Sequence, residues 1–415
     1  MKRIDLTITA LSSLAIGQRK PGGSVSEALD YIPGTVIRGA IASAILRNAD
    51  HEPAAGDDFH RLFLDDTAAV FHNAYPAIAH LKDDQYIISE GDVQVLPATA
   101  LSAKTGGGFK PEHLGVFDSL IDSFCAKSQG YFYGPNDIYN NLVEPFGGFY
   151  SQSQGHYYRH AVSKRLLTRV GINRRRATAQ DEILYSIEVM NESQGKQERV
   201  RTVYRGSIFV QDSDDLATQL YDFLQQRCHH LRIGGSASRG LGKIRLDVAQ
   251  PKAETASSTQ DRINAFNTKL KERWHWWNIL GGADSDPTDK ESFFTLTLQS
   301  DTILTEDWRR TTVVSPAMLA PIIGLEVGEI TLHAAYTSHD YRSGWNSAWG
   351  LPKDTELVTK KGGVWLFSIP KDKQGDCYGA LAKLERLGLG NRCSEGYGQV
   401  KVCDEFHQVM RENPA

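Results

Sequence analysis

The chain carries the segment Leu231-Arg-Ile-Gly-Gly-Ser-Ala-Ser-Arg-Gly-Leu-Gly-Lys-Ile-Arg-Leu246 and repeats its pattern in Leu387-Gly-Leu-Gly-Asn-Arg-Cys-Ser-Glu-Gly-Tyr-Gly-Gln-Val-Lys-Val402. Each copy predicts the end of a helix, a loop of glycines with a few cations, and a closing strand of alternating polarity. Ordering glycine costs more backbone entropy than ordering any other residue, so these glycines indicate positive φ or close approach of a ligand. Two copies in one chain predict two homologous domains.

The cations beside the glycines indicate the kind of ligand. Exposed N–H groups of such a loop, with arginine or lysine nearby, suit a phosphodiester backbone. The sequence therefore predicts RNA contacts in both loops. The predicted contacts are Gly234, Gly235, Arg239, Gly240 and Lys243 in the first loop and Arg392, Gly396 and Tyr397 in the second.

Composition limits the class of protein. The chain has 415 residues, 40% of them hydrophobic and 23% charged, which is enough for two stable domains. Alternating residues at the N-terminus predict a first strand and not a signal peptide. Five widely spaced cysteines without a C-x-x-C pair indicate reduced thiols and a cytoplasmic location. A net charge of −4 excludes indiscriminate binding of polyanions but not a local basic surface.

The first domain, residues 1–250, is predicted to be ferredoxin-like, with the order βαββαβ. Its first strand includes residues 4–8, and a helix follows the Pro33-Gly34 turn with Thr35 as its cap. Strands at 183–189 and 203–210, a helix reaching about residue 228, and a strand at 242–248 complete the order. A long insertion at about 48–182 is expected to be a functional excursion.

The second domain, residues 291–415, is predicted to repeat this order after a linker and helical segment at 251–290. Its strands are expected at residues 293–298, 330–336, 364–369 and 399–402, with a helix from about 378 to 387. The predicted fold class is therefore α+β, with two ferredoxin-like domains and a long insertion in the first.

The ordered motifs resemble a known family. The helix-opening Ile32-Pro-Gly-Thr-Val-Ile-Arg-Gly-Ala40, together with the glycine loops, resembles the RAMP superfamily of CRISPR-associated proteins. Further motifs resemble the large two-domain RAMP protein of type III-D effector complexes (the Csx-ten group): Phe71-His-Asn-Ala-Tyr-Pro76, Leu96-Pro97 followed by Lys104, Gly171-Ile-Asn-Arg-Arg-Arg-Ala-Thr-Ala179, Leu184-Tyr-Ser186, Ser343-Gly-Trp-Asn346, Gly350-Leu-Pro352 and Phe406-His407. Members often carry a cysteine before the lysine of the insertion motif, where this chain has Ala103.

The resemblance implies a structural subunit that holds the crRNA near its 5′ handle in antiviral defence, without a cofactor or an established nuclease centre. Its implied partners are the crRNA, a large polymerase-like subunit and other RAMP subunits, with target RNA reached only through the complex and no membrane contact. The candidate cations outside the loops are Arg38 near a helix N-terminus, Lys104 in the insertion, and the trio Arg174, Arg175 and Arg176.

Two other functions stay open from the sequence. One is a metal-independent endoribonuclease that processes precursor crRNA, with His229 or His230 as the general base. The other is a two-domain scaffold that does not touch RNA. The sequence contains no P-loop, G-x-S-x-G or paired-cysteine metal motif. All of the site residues predicted from the sequence are RNA contacts, and none is predicted to be catalytic or to bind a metal.

Overall fold

A computed structural model describes residues 1–18, 27–49, 52–65, 67–81, 85–173, 178–195, 199–211, 215–227, 230–253, 257–279, 285–346 and 350–415. Antiparallel sheets and helices alternate along the chain. The helices are Gly34–Asn48, Asp58–Phe63, Leu120–Ser128, Leu216–Arg227, Ser257–Asn278, Pro316–Ile323 and Gln374–Leu387. None of these described helices combines the length and apolar character needed to cross a membrane.

The first sheet is built around the strand Lys2–Ala10. Its path runs through His230–Arg232, Lys243–Val248, Lys2–Ala10, Val203–Val210 and Ala69–Phe71, and Lys252–Ala253 and Tyr75–Pro76 pair beside it. Ile4, Leu6 and Ile8 are buried in one core with residues of the helices Gly34–Asn48 and Leu216–Arg227. Because side chains alternate along a strand, the intervening polar residues lie on the opposite face.

Residues 183–189 form a strand as predicted, but their predicted place as the second strand of the sheet was wrong. The sheet takes Ala69–Phe71 as its second strand, paired with Val203–Val210, whereas residues 184–189 pair with residues 165–170 outside the sheet. Alternation of polar and apolar residues identifies a strand but does not identify its partner. The true second strand has only three residues, which is too short for alternation to predict it. The long excursion therefore lies between the second and third strands of the sheet.

The second sheet has the ferredoxin-like order. It runs Thr331–Tyr336, Val364–Pro370, Glu291–Leu298 and Val400–Val402, all antiparallel. Residues of the helices Pro316–Ile323 and Gln374–Leu387 share its core. The predicted α+β class with ferredoxin-like domains is confirmed.

The excursion forms small sheets of its own. One contains Val116–Asp118, Ala100–Ala103 and Val143–Pro145, and the other contains Tyr86–Ile88, Ile78–His80, His156–His160, Phe149–Ser153 and Gln94–Val95. Its helix Leu120–Ser128 packs into the core of the second domain through Leu120, Ile121 and Phe124. The excursion thereby connects the two ferredoxin-like units.

Two-stranded pairs complete the described structure. The longest, here called the ribbon, joins Lys164–Asn173 to Thr178–Met190. The shorter pairs are Gly17–Gln18 with Glu27–Ala28, Ser193–Gln194 with Val200–Arg201, Leu304–Glu306 with Arg309–Thr311, His339–Arg342 with Glu356–Thr359, and Trp345–Asn346 with Leu351–Pro352.

Candidate nucleic-acid interface

The two glycine loops, residues 233–242 and 389–398, share one backbone conformation. Each contains a three-residue 3-10 turn, Ala237–Arg239 in the first and Cys393–Glu395 in the second. A left-handed residue precedes each turn, with φ of 57° at Ser236 and 59° at Arg392. The sequence repeat is therefore also a repeat of structure.

Several of the glycines are required by the fold of the loop itself. A Cβ at Gly242 would lie 2.2 Å from the carbonyl oxygen of Ile233, and one at Gly398 would lie 2.1 Å from that of Leu389. Gly234 is similarly crowded, since its Cβ would lie 2.6 Å from the carbonyl oxygen of Ala15. All three have positive φ. The backbone of the loop by itself requires glycine at these three positions, so their presence does not indicate a ligand.

Gly235 and Gly240 differ from these crowded glycines. A Cβ at Gly235 would meet only the Ala15 carbonyl oxygen, at an ordinary 3.6 Å, and one at Gly240 would meet no atom of the described structure within 4 Å. Both residues are exposed. The open side of the first loop therefore lies at these two positions.

Cations border this open side. Arg239 is exposed, donates to the Tyr185 hydroxyl, and lies with its guanidinium carbon 5.5 Å from the centre of the Tyr185 ring. Because Tyr185 belongs to the ribbon, this contact joins the ribbon to the first loop. Leu241 strengthens the contact by packing with Leu167 and Ile187 of the ribbon. Lys243 is exposed at the start of the closing strand.

The second loop is closed by the first domain. A Cβ at Gly396 would lie 2.7 Å from Oδ1 of Asn73 and 3.0 Å from Cα of Gly34. The same Asn73 oxygen accepts a 2.8 Å hydrogen bond from the Gly34 amide. We call this contact of residues 395–396 with Gly34 and Asn73 the domain seam.

At the seam a carboxylate lies at the N-terminus of the helix Gly34–Asn48. The sequence had predicted that an RNA phosphate binds at this end of the helix. Glu395 accepts a 3.2 Å hydrogen bond from the Thr35 hydroxyl and a 2.8 Å one from Lys353. Arg392 donates to the same Glu395 Oε2 at 2.7 Å. A negative charge is favourable at a helix N-terminus. The predicted capping by Thr35 was wrong, because the helix begins at Gly34 with no side-chain cap and Thr35 bonds Glu395 instead.

The charges around Glu395 determine its ionisation. Burial by itself would raise the pKa of this carboxyl group, but Arg392 and then Lys353 lower it from 4.5 to about 2. The seam thus contains an ionised glutamate held by two cations.

The seam should weaken in acid. Because the folded pKa of Glu395 lies below the unfolded one, its stabilisation is complete above pH 4.5 and is lost as the pH falls towards 2. We expect Glu395→Gln to lower the free energy of unfolding by about 3 kcal/mol at pH 6 and by much less at pH 3. Urea denaturation at both pH values measures this. Glu272→Gln, which changes an exposed helix residue, is the control; a loss at Glu395 that does not vary with pH would contradict the argument.

The remaining predicted contacts lie apart from the first loop or outside the described residues. Arg38 donates to the carbonyl oxygen of Phe63, so its guanidinium faces the neighbouring helix. Lys104 is exposed at the end of the strand Ala100–Ala103. Arg174, Arg175 and Arg176 lie outside the described residues, between the paired residues Asn173 and Thr178. Tyr397 lies under the Arg392 guanidinium, 5.2 Å from it.

Sequence reasoning missed three residues of these surroundings. Tyr185, Asn73 and Lys353 are distant in sequence from the loops that they contact, and no local pattern marks them as loop partners. Among the described residues, no group of three or more histidine, cysteine, aspartate or glutamate side chains is placed to hold a metal ion.

A profile of the RAMP superfamily matches residues 7–245, which is more than half of the chain. The chain belongs to the RAMP superfamily. The match covers the first ferredoxin-like domain of this RAMP protein from within its first strand to within its closing strand, and includes the first glycine loop. The second domain repeats the same strand order and the same loop conformation beyond the matched residues.

Other comparisons give weaker likenesses. A chain of the cryo-EM structure of type III-B Cmr-beta bound to cognate target RNA and AMPPnP is 11% identical, with a TM-score of 0.39 and coverage of 87% of this RAMP protein and 86% of that chain. A chain of Cmr-beta bound to cognate target RNA is 12% identical, with a TM-score of 0.39 and coverage of 93% of this RAMP protein and 95% of that chain. Oligomeric Cmr4 from Pyrococcus furiosus is 13% identical, with a TM-score of 0.25 and coverage of 60% and 99%. No curated protein matches the sequence.

Proposed function

We propose that this RAMP protein is a crRNA-binding structural subunit of a type III, III-D-like CRISPR effector complex in antiviral defence. It grips the guide RNA near one end, and its other partners are a large polymerase-like subunit and neighbouring RAMP subunits, with target RNA reached through the complex. Family membership and the ordered III-D-like motifs support this proposal. Its location would be the cytoplasm.

The observation that carries the proposal is the difference between the two loops. They have the same backbone, yet Gly396 and Ser394 of the second are buried in or beside the seam, while Gly235, Arg239 and Gly240 of the first are exposed. At Arg239 and Gly240 the first loop is open to an RNA backbone, whereas the corresponding Glu395 and Gly396 of the second loop lie in the seam. We therefore place the RNA contact at the first loop, where Arg239 and Lys243 supply positive charge.

The other predicted cations divide into two groups under this proposal. Lys104 and the Arg174, Arg175 and Arg176 trio continue the contact with RNA, and the trio directly follows Asn173 of the ribbon in the sequence. Arg38, Arg392, Gly396 and Tyr397 act instead in packing, because their described contacts lie within the protein. We also propose that the first domain ends at residue 250 and that the second begins at residue 291, with the linker and helical segment between them.

Binding of labelled crRNA tests the role of the first loop. We expect Arg239→Ala to weaken binding about tenfold, since a hydrogen bond to a charged group contributes about 1.5–3 kcal/mol. The slope of log affinity against log salt should become shallower by about 0.9, the value for one phosphate on a helix, or slightly less on a single strand. Arg245→Ala is the matched control, because Arg245 is exposed nearby and already pairs with Asp247 at 3.1 Å.

A second variant separates contact from folding. Gly235→Ala should leave the melting temperature unchanged, because its φ is not positive and its Cβ has room. Weaker binding in this normally folded variant indicates that RNA approaches the main chain. Unchanged affinity in both Arg239→Ala and Gly235→Ala would overturn the proposed contact.

No described contact favours the ribonuclease alternative. His229 lies outside the described residues, and His230 begins the edge strand His230–Arg232 without a described side chain. Cleavage of precursor crRNA by the purified protein in EDTA, lost on His230→Ala, would replace the structural role with a catalytic one.

A further inference from the structure

A cavity of about 340 Å³ lies between the two ferredoxin-like domains. Its floor is the polar face of the first sheet, with Arg3, Arg205, Ser207 and Phe209. Its other wall comes from the start of the helix Ser257–Asn278 and, in the second domain, from the end of the helix Gln374–Leu387 and residues 399–401. Volumes of this size are typical of sites for small molecules.

The lining of the cavity carries an excess of positive charge. Five cations line it, whereas only two carboxylates, Asp92 and Glu385, do so. The cations are Arg3, Arg205, Arg262, Arg386 and Lys401. Like charges in a partly enclosed space repel one another and lose hydration, so such a group is stabilised by an anion.

The ion pairs of the lining do not neutralise Arg205. Arg3 pairs with Asp5 and Asp92, Arg262 pairs with Glu385, and Lys401 pairs with Glu405 outside the lining at 2.5 Å. Arg205 donates only to uncharged oxygens, the Ser89 carbonyl at 2.6 Å and the Thr7 hydroxyl at 3.4 Å. Among the described residues, no carboxylate forms an ion pair with it.

His72 adds an unsatisfied polar atom to the lining. Its Nε2 is buried and has no hydrogen-bond partner among the described residues, although an unpaired buried polar group is unfavourable. Burial, and then the charge of Arg3, lower the pKa of His72 to about 3, despite the opposing charge of Asp92. The other ring nitrogen is hydrogen-bonded to the backbone of Arg386, which favours the protonated ring. The neutral ring therefore has its one proton on that side, and Nε2 donates a hydrogen bond to a phosphate when the bound anion stabilises the protonated ring.

We propose that this cavity binds a phosphate group, carried either by a free nucleotide or by an RNA strand, through Arg205, Lys401 and His72. The oxygens of a phosphate group accept hydrogen bonds from arginine and lysine, and the negative charge of the phosphate compensates the excess of cations. The cavity contains no residue of the first glycine loop, so the inference goes beyond the proposed grip on crRNA.

Titration with three probes tests this site: inorganic phosphate, adenosine 5′-monophosphate and a short single-stranded RNA. Calorimetry should detect at least one of them, and Arg205→Ala should weaken that binding about tenfold or more. Arg205→Lys should recover part of the affinity. The control Arg245→Ala changes an arginine on the same face of the sheet, outside the lining, and should bind normally.

The His72 ring supplies a second readout that does not depend on affinity. A bound phosphate should raise the pKa of His72, which imidazole NMR signals would report as a shift towards higher pH. Lys401→Ala serves as a second variant if Arg205→Ala melts early. If phosphate and the nucleotide bind and RNA does not displace them, the ligand of the cavity is a free nucleotide. If RNA shifts the same His72 signals, the ligand is an RNA strand.

Two results would overturn the inference: no probe binds, or binding is equally strong in Arg205→Ala and Lys401→Ala proteins that melt normally. Arg239→Ala separates the two proposals, because it should weaken crRNA binding at the first loop while the His72 signals still respond to the cavity probe.

Discussion

Gly398→Ala is expected to lower the free energy of unfolding by about 3 kcal/mol or more, through positive-φ strain of about 1–2 kcal/mol and overpacking of about 1–3 kcal/mol. The residue has a φ of 72°, and its Cβ would lie 2.1 Å from the Leu389 carbonyl oxygen. That oxygen is backbone and cannot move away without disturbing the loop. Urea denaturation of the wild-type protein and the variant measures the difference in the free energy of unfolding from the midpoint and the slope of each transition.

Gly240→Ala is the matched control for this change. Its φ of 89° is also positive, but no atom of the described structure lies within 4 Å of the added carbon. We therefore expect only the strain of about 1–2 kcal/mol. Equal losses at both positions would show that crowding at Gly398 is relieved by small movements.

Asp122→Ala is expected to destabilise the protein by about 3–5 kcal/mol, because it leaves a buried cation without its main partner. Arg273 donates to Asp122 through two hydrogen bonds of 2.7 and 2.9 Å, and the two side chains are only 9% and 3% exposed. The Trp277 indole also donates to Asp122 at 3.0 Å. After the change, Arg273 retains Glu412 as its remaining acidic partner among the described residues.

Asp247→Ala is the control, since the Asp247 and Arg245 side chains are each about half exposed. Exposed pairs contribute less than about 1 kcal/mol. Thermal or urea denaturation compares the two variants. A loss at Asp122 as small as that at Asp247 would mean that this pair does not hold the excursion helix Leu120–Ser128 to the helix Ser257–Asn278.

The strand content of the second domain could be predicted closely from the sequence. Phe293 to Leu298 and Val364 to Ile369 are runs of apolar and β-branched residues, and both lie inside the observed strands Glu291–Leu298 and Val364–Pro370. The first domain was harder, because the residues from 183 to 189 have a strand pattern but pair in the ribbon. Local patterns predict extended backbone, whereas strand partners depend on contacts distant in sequence.

The conformation of the two glycine loops could be inferred from the amino-acid sequence alone. Their glycines recur in the same order, and positions such as Gly242 and Gly398 exclude any other residue through short-range crowding and positive φ. These are local steric effects, so they can be inferred from a single repeated segment.

Which of the two loops is open depends on contacts between distant parts of the folded chain. Gly34, Asn73 and Lys353 come from three distant parts of the chain. Gly34 and Asn73 cover Gly396 of the second loop, and Lys353 pairs with Glu395. The corresponding position of the first loop holds Arg239, which remains exposed beside the ribbon. Burial and charge pairing depend on which surfaces meet after folding, and a local sequence pattern contains no information about such distant neighbours.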